Sequence, residues 1–298
     1  MAASSTPSQF SQSHVKRELA NPSVAWLSLY ARMNSGVKIH IAQSCKAGAN
    51  RVELSGGTRR ADTSETCNFI HGAAYEDGAR LPCEPWRRPT AEEAQGLITT
   101  EISHDLANSV AIVRVPNDLS RDDCEIIRNV TPETLETALL RPLRRICELG
   151  EPLHCVGASA NPANLKTVTI NCDINRFNGL HVDNWDRIGL NLRHLATNRI
   201  CINIGRGDRY FMFLPVSLMD IANFLAKEMG PDWETPRRYT EIGRQFMERF
   251  PDVPVVRCRL APGEAYIAPT ENLVHDGSSI GQSEIDEQFT IRGHIRPL

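Results

Sequence analysis

The sequence predicts a mainly β protein with α elements: a double-stranded β-helix (jelly roll) core with N-terminal supporting helices and a helical insertion. Three observations point there. From about Pro152 onward the chain breaks into short strand-like runs rich in β-branched and aromatic residues. Turn residues such as Asn-Gly, Gly-Arg-Gly-Asp and Pro-Gly separate many of them. The first half instead mixes helical patterns with irregular connections. Strands this closely spaced favour packed sheets over an alternating βαβ sheet.

Residues 1–22 are Ser/Gln-rich and polar, and read as a disordered tail. Residues 23–298 read as a single domain, with an α-rich support over 23–150 and the jelly-roll core over 151–298. Ser23 to Met33 has the apolar spacing of an amphipathic helix. Gly56 to Pro89 reads as long irregular connections, and Val110–Val115 as a short strand. A helix is expected from Ser120, with Asp122 and Asp123 in its first turn. Another is expected from Thr131, an N-cap followed by Pro132 and Glu133. Thr134 leaves that capping box incomplete. Leu135, Leu139, Leu140, Leu143 and Ile146 then recur at helical spacing, as for a helix packed on something flat, with Pro142 kinking or interrupting it. Ala47 to Leu54 resembles one unit of a (β/α)8 barrel, but it has no companions and is assigned to the support.

In the core, strands are expected at Leu153–Val156, Thr167–Cys172, Gly179–Asp183, Ile200–Ile204 and Tyr210–Leu214. After the insertion come Val255–Leu260, Ala265–Ala268, Asn272–Val274 and Gln288–Ile295. The insertion, residues 217–250, reads as two helices around the turn Gly230–Asp232, and its place between strand groups suggests a lid.

Composition narrows the function. Of 298 residues, 41% are hydrophobic and 23% charged, ordinary for a globular chain. A formal charge of -3 supplies no basic field for nucleic acid or an anionic membrane. No stretch approaches the roughly 20 apolar residues of a spanning helix, and the N-terminus lacks the apolar segment of a secretory signal. The nine cysteines form no Cys-x-x-Cys pair, which argues against a zinc site or redox dithiol. Cys172 and Cys201 lie in apolar runs and are expected to be buried. This usage fits a reducing cytoplasm.

The chemistry concentrates in Gly179-Leu-His181-Val-Asp183. Residues two apart in an extended chain face the same way, so His181 and Asp183 can reach one ion while Val182 turns aside. The best third ligand is His275, about 90 residues downstream in Asn272-Leu-Val-His275-Asp-Gly. Two imidazoles and one carboxylate form a facial triad with open positions, and a nitrogen and oxygen set without thiolate favours Fe(II). Near the C-terminus, Phe289 to Arg296 alternates. Thr290, Arg292 and His294 share one face, Phe289, Ile291 and Ile295 the other. If the latter pack outward, Arg292 points into the core, where a guanidinium can clamp a carboxylate bidentately.

His181-x-Asp183, a distal His275 and an arginine beyond it resemble the Fe(II)/2-oxoglutarate-dependent dioxygenase superfamily. The resemblance covers roughly residues 150 to 298. It implies a jelly roll, iron held by His181, Asp183 and His275, and O2 as oxidant. The 2-oxoglutarate co-substrate would be anchored by Arg292 and oxidatively decarboxylated to succinate and carbon dioxide. The spacing from His275 to Arg292 is slightly longer than the family's usual one, which keeps Arg296 open as the anchor. Members that halogenate carry Gly or Ala where Asp183 stands, so the resemblance implies hydroxylation or another oxygenase-type oxidation.

Other residues carry two readings. Asn203, a polar residue inside an apolar strand, could bind co-substrate or serve the fold. His275-Asp276-Gly277 alone would be turn chemistry. Trp185 and Tyr266 could line a pocket or belong to the core, His294 and Arg296 could be solvated, and Gly205–Asp208 reads as a hairpin turn. The expected partner is a small polar metabolite, such as an amino acid or a specialised-metabolism intermediate. The competing class is a cupin-like metal protein that does not use 2-oxoglutarate.

Overall fold

A computed structural model describes residues 22–33, 36–45, 48–62, 64–66, 73–116 and 135–298. Its strands are β1 (Lys38–Ile41), β2 (Val52–Leu54), β3 (Thr58–Arg60), β4 (Arg80–Pro82), β5 (Ile98–Thr99), β6 (Ser109–Arg114), β7 (Cys147–Asn161), β8 (Ile170–Asn171) and β9 (Arg176–Phe177). They continue with β10 (Asn198–Asn203), β11 (Arg209–Ser217), β12 (Val256–Leu260), β13 (Glu264–Ala268), β14 (Leu273–Ser278) and β15 (Asp286–Pro297). The helices are α1 (Pro22–Met33), α2 (Ala91–Leu97), α3 (Leu218–Met229) and α4 (Tyr239–Arg249). None of them is long and apolar enough to cross a membrane.

A seven-stranded sheet runs β5-β1-β6-β13-β10-β15-β7, and a four-stranded sheet runs β14-β11-β12-β2. The protein is therefore mainly β with some helices, and its sheets do not close into a barrel. The two sheets pack face to face. Phe211 of β11 stacks on Tyr266 of β13 with ring centroids 3.8 Å apart, deep in the apolar core. From β10 on the chain passes back and forth between sheets, with β10, β13 and β15 in the large one and β11, β12 and β14 in the small one, where the consecutive strands β11 and β12 pair directly. Gly205–Asp208 consequently crosses between sheets rather than closing a hairpin.

The central strands of the large sheet, β6, β13, β10 and β15, are buried on both faces, which explains their nearly continuous apolar runs, whereas the edge strand β7 is largely exposed. Ile200, Ile202, Phe289, Ile291 and Ile295 pack outward against Leu139, Leu140 and Leu143, the flat partner that the leucine spacing calls for. The helix carrying those leucines is short. A π-helical turn over Glu136–Leu140 leads into a helical turn at Arg141–Leu143, with Pro142 near its start. The expected starts at Ser120 and Thr131 lie outside the described residues.

Several elements differ from expectation. The N-terminal half contributes strands as well as support: β1, β5 and β6 extend the large sheet, and β2, from the barrel-like fragment, joins the small one. Of Thr167–Cys172, only β8 forms, in a short hairpin with β9, and Cys172 is exposed while Cys201 is buried. The insertion is not a loose lid. Ile221, Leu225, Ile242, Phe246 and Met247 of α3 and α4 are buried in the main core. Arg244 pairs with the buried Glu76, and a Cβ at Gly243 would meet Val274 Cγ2 at 2.6 Å. Trp185 is 56% exposed, whereas Tyr266 is core.

Candidate metal centre

His181 and Asp183 follow Gly179, whose φ of +65° favours glycine, and a Cβ there would lie 2.6 Å from the Arg80 carbonyl oxygen. No regular strand forms over Gly179–Asp183. Leu180 donates to Arg80 O, His181 exchanges two backbone bonds with His275 (3.0 and 2.8 Å), and Asp183 donates to Thr270 O. Three successive partners prevent a ladder, yet the chain stays extended. His181 and Asp183 therefore share a face, while Val182 bonds Thr240 of α4 through its backbone.

The bridge sets the two imidazoles side by side, centroids 4.8 Å apart. Each is oriented by its own chain. His181 Nδ1 lies 3.0 Å from Gly179 O, and His275 Nδ1 lies 2.9 Å from Leu273 O. A carbonyl can only accept, so Nδ1 carries the hydrogen and Nε2 presents a lone pair. Both lone pairs converge on Asp183: His181 Nε2 is 3.7 Å from Oδ1, and His275 Nε2 is 3.8 Å from Oδ2. Ligand atoms of the three residues, all buried, lie within 4.8 Å of one another. His275 Nε2 and Asp183 Oδ2 are buried without a hydrogen-bond partner. Acceptors facing acceptors in a dry site repel unless a cation stands between them, so the donor set fits a divalent ion with nitrogen and oxygen preference.

The electrostatics differ between the two rings. Burial pushes His275 down to about 3, helped by His181 and Arg199, which keeps it a neutral ligand. Burial also opposes charge on His181, but Asp183 and Asp276 carry its pKa above the ordinary value. For Asp183, burial would favour the acid form, yet Arg199, His275 and His181 hold the carboxyl far below the usual range.

The other expected site residues divide. Arg292 faces inward, since Phe289, Ile291 and Ile295 pack outward. Its guanidinium is not free: it pairs with Asp186, donates to Thr197 Oγ1 at 2.8 Å and lies 3.6 Å from Glu271. Arg296 is 41% exposed in its side chain and lies 3.8 Å from Glu148. Asn203 also faces inward, but its amide donates to Gly207 O and Leu260 O and accepts from Gly205 N. It holds the crossing turn, the structural one of its two readings.

Residues not singled out from sequence complete the site. Arg199 on β10 sits 2.6 Å from Asp183 Oδ2, in register with Arg292 on β15. Alternation back from Asn203 through Cys201 would have placed it inward. Asp276, read as part of a turn, is buried within β14. Its Oδ1 accepts from Thr169 Oγ1 (2.9 Å) and Gly277 N (2.7 Å), and Oδ2 lies 3.7 Å from His181 Nδ1. Arg193 is fully buried, donates to Asp183 O at 2.7 Å and stacks 4.2 Å over Tyr239, tying the ligand segment to α4. No local signal in the sequence marks it. Among known proteins, no protein-family model matches this chain and no curated protein matches it significantly.

Proposed function

We propose that the protein is an iron(II)- and 2-oxoglutarate-dependent oxygenase that hydroxylates a C–H bond of a small polar metabolite. The observation that carries this reading is the convergence of two imidazole nitrogens and one carboxylate, all buried, with ligand atoms within 4.8 Å of one another and with His275 Nε2 and Asp183 Oδ2 lacking a hydrogen-bond partner. Two imidazoles and a single carboxylate are the donor set of non-haem Fe(II) oxygenases. The strand order supports the reading too. Neighbours β13-β10-β15-β7 lie in one sheet and β12-β11-β14 in the other, with His181 bridged to His275 beyond, an order compatible with a double-stranded β-helix. When bound, iron(II) with 2-oxoglutarate and O2 supplies the oxidation, yielding succinate and carbon dioxide. The chain's own part is to hold the ion through His181, Asp183 and His275 and to keep both imidazoles in the ligating tautomer. Arg199, paired with the ligand carboxylate of Asp183, offers positive charge to an anionic co-substrate once the ion engages that carboxylate.

A second reading, a cupin-like metal protein without 2-oxoglutarate, is favoured by one observation: Arg292 is already neutralised by Asp186. Anaerobic titration with Fe(II) and then 2-oxoglutarate separates the two. The oxygenase reading expects a weak visible charge-transfer band with 2-oxoglutarate and succinate formation when air is admitted. Iron binding with neither would leave the second reading.

A further inference from the structure

Arg199 stands where a metal ion is repelled. Ile200 and Ile202 pack in the outer cluster, so alternation turns Arg199 inward, toward Asp183. Among the described residues, Asp183 is the carboxylate paired with it. Its Nε is buried without a hydrogen-bond partner, and at 2.6 Å from Asp183 Oδ2 the guanidinium makes a charge contact without directing a hydrogen bond. The neighbouring inward cations have counter-ions of their own: Arg292 has Asp186, and Arg209 has Asp286 at 2.8 Å.

Arg199 and Asp183 thus cancel before any metal arrives. A divalent ion ligated by Asp183 and two neutral imidazoles then adds two positive charges beside a guanidinium that cannot deprotonate. Asp276 lies behind the His181 ring, against Nδ1, on the side away from the ligating nitrogen. The buried Glu271 is engaged by Arg193 at 3.5 Å and Arg292 at 3.6 Å, so the excess charge is left for something that enters from outside.

We infer that Arg199 makes metal binding depend on a doubly negative small-molecule co-ligand, which takes over the guanidinium's contact as the ion takes over Asp183. The identity of that co-ligand as 2-oxoglutarate rests on the function proposed above, whereas the dependence itself does not. Ion and dianion strengthen each other's binding by one common factor, by thermodynamic linkage. Removing the guanidinium has effects of opposite sign: the ion alone binds more tightly, and the dianion adds less.

The experiment is anaerobic calorimetric titration of Fe(II) into the full-length protein, alone and with 2-oxoglutarate, pyruvate, malonate or oxalate. In the wild type, 2-oxoglutarate should raise Fe(II) affinity at least about tenfold, within the usual range of coupling between sites, and the monoanion pyruvate less. In Arg199→Met, Fe(II) alone should bind more tightly than in the wild type, with the enhancement cut to roughly threefold or less. Arg199→Lys keeps the charge and should keep most of the enhancement. Arg199→Gln, which also removes the charge, substitutes for the Met variant if thermal melting shows that variant unfolded. Equal enhancement in wild type and charge-removed variant overturns the inference, as does unchanged affinity for Fe(II) alone. If malonate or oxalate shows the Arg199-dependent enhancement and 2-oxoglutarate does not, the inference stands and the proposed co-substrate falls. If no dianion enhances Fe(II) binding in the wild type, the inference is overturned.

Discussion

Gly243→Ala tests whether the candidate site depends on how closely α4 lies against β14. Glycine inside a helix costs about 1 kcal/mol relative to alanine, so on propensity alone the change stabilises. Packing opposes it. The new Cβ would stand 2.6 Å from Val274 Cγ2, whereas carbon atoms rest at about 3.5–4.0 Å, so helix and strand must part by roughly 1 Å. Val274 is 1% exposed and β-branched, and has little freedom to turn away. Overpacking of a well-filled core costs about 1–3 kcal/mol, and its upper part applies here. The net expectation is a loss of about 1–2 kcal/mol, read as a lower urea midpoint at unchanged slope. Fe(II) affinity should fall with it, because His275 follows Val274 in the chain. Val274→Ala removes the obstructing methyl groups, so in that background Gly243→Ala should become neutral or stabilising, a coupling of about 2 kcal/mol. Gly243→Ala at or above wild-type stability in the presence of Val274 would refute the close approach.

Three further outcomes are expected. His181→Ala and His275→Ala should each abolish stoichiometric Fe(II) binding, a loss well beyond the roughly 10–100-fold of a change behind the ligands, and near-native affinity in either would remove that residue from the triad. Arg292→Ala strips Asp186 of its cation and should lower thermal stability while raising the 2-oxoglutarate requirement less than Arg199→Met does; the reverse order restores Arg292 as the anchor. Glu93 receives Arg87, Thr90 N and Trp26, contacts that overcome burial and hold its carboxyl at about 2. Its folded pKa lies below its unfolded value of about 4.3, so the stability it adds is present above that value and lost as pH falls toward 2. Urea melts of wild type and Glu93→Gln should therefore differ at pH 7 and converge toward pH 2–3, and a gap independent of pH would count against this pairing.

The legible part of the fold was the part set by local periodicity. Alternation over Phe289–Arg296 gave the outward and inward faces of β15, and the leucine spacing around Leu139 announced a flat partner. Helices α3 and α4 fell where the apolar pattern and the turn at Gly230–Asp232 placed them. What stayed hidden depends on distant pairing. β2 has three residues and β5 two, too few for a period, and they become strands only because β12 and β1 offer free edges. Asp276-Gly277 looked like a turn because that dipeptide often is one, yet β14 runs on through it to Ser278, paired with β11. The ion pair of Arg292 was hidden for the same reason: Asp186 lies 106 residues away in sequence.

The candidate centre divides along this line. In Gly179-Leu-His181 and in Leu273-Val-His275, the histidine ring bonds the carbonyl two residues back. Each ring is thus oriented by a carbonyl of its own segment, a local property written in a few residues. The meeting of the two rings is not local. It requires the paired backbone bonds between His181 and His275, and these exist because Gly179 can bend against Arg80 and because β11 holds β14 in register. A sequence can therefore announce two histidines prepared to ligate and a carboxylate beside one of them, while leaving open whether they share an ion. Arg199 is hidden in the same way. Nothing near it in sequence is acidic, and its charge matters only once β10 carries it beneath Asp183.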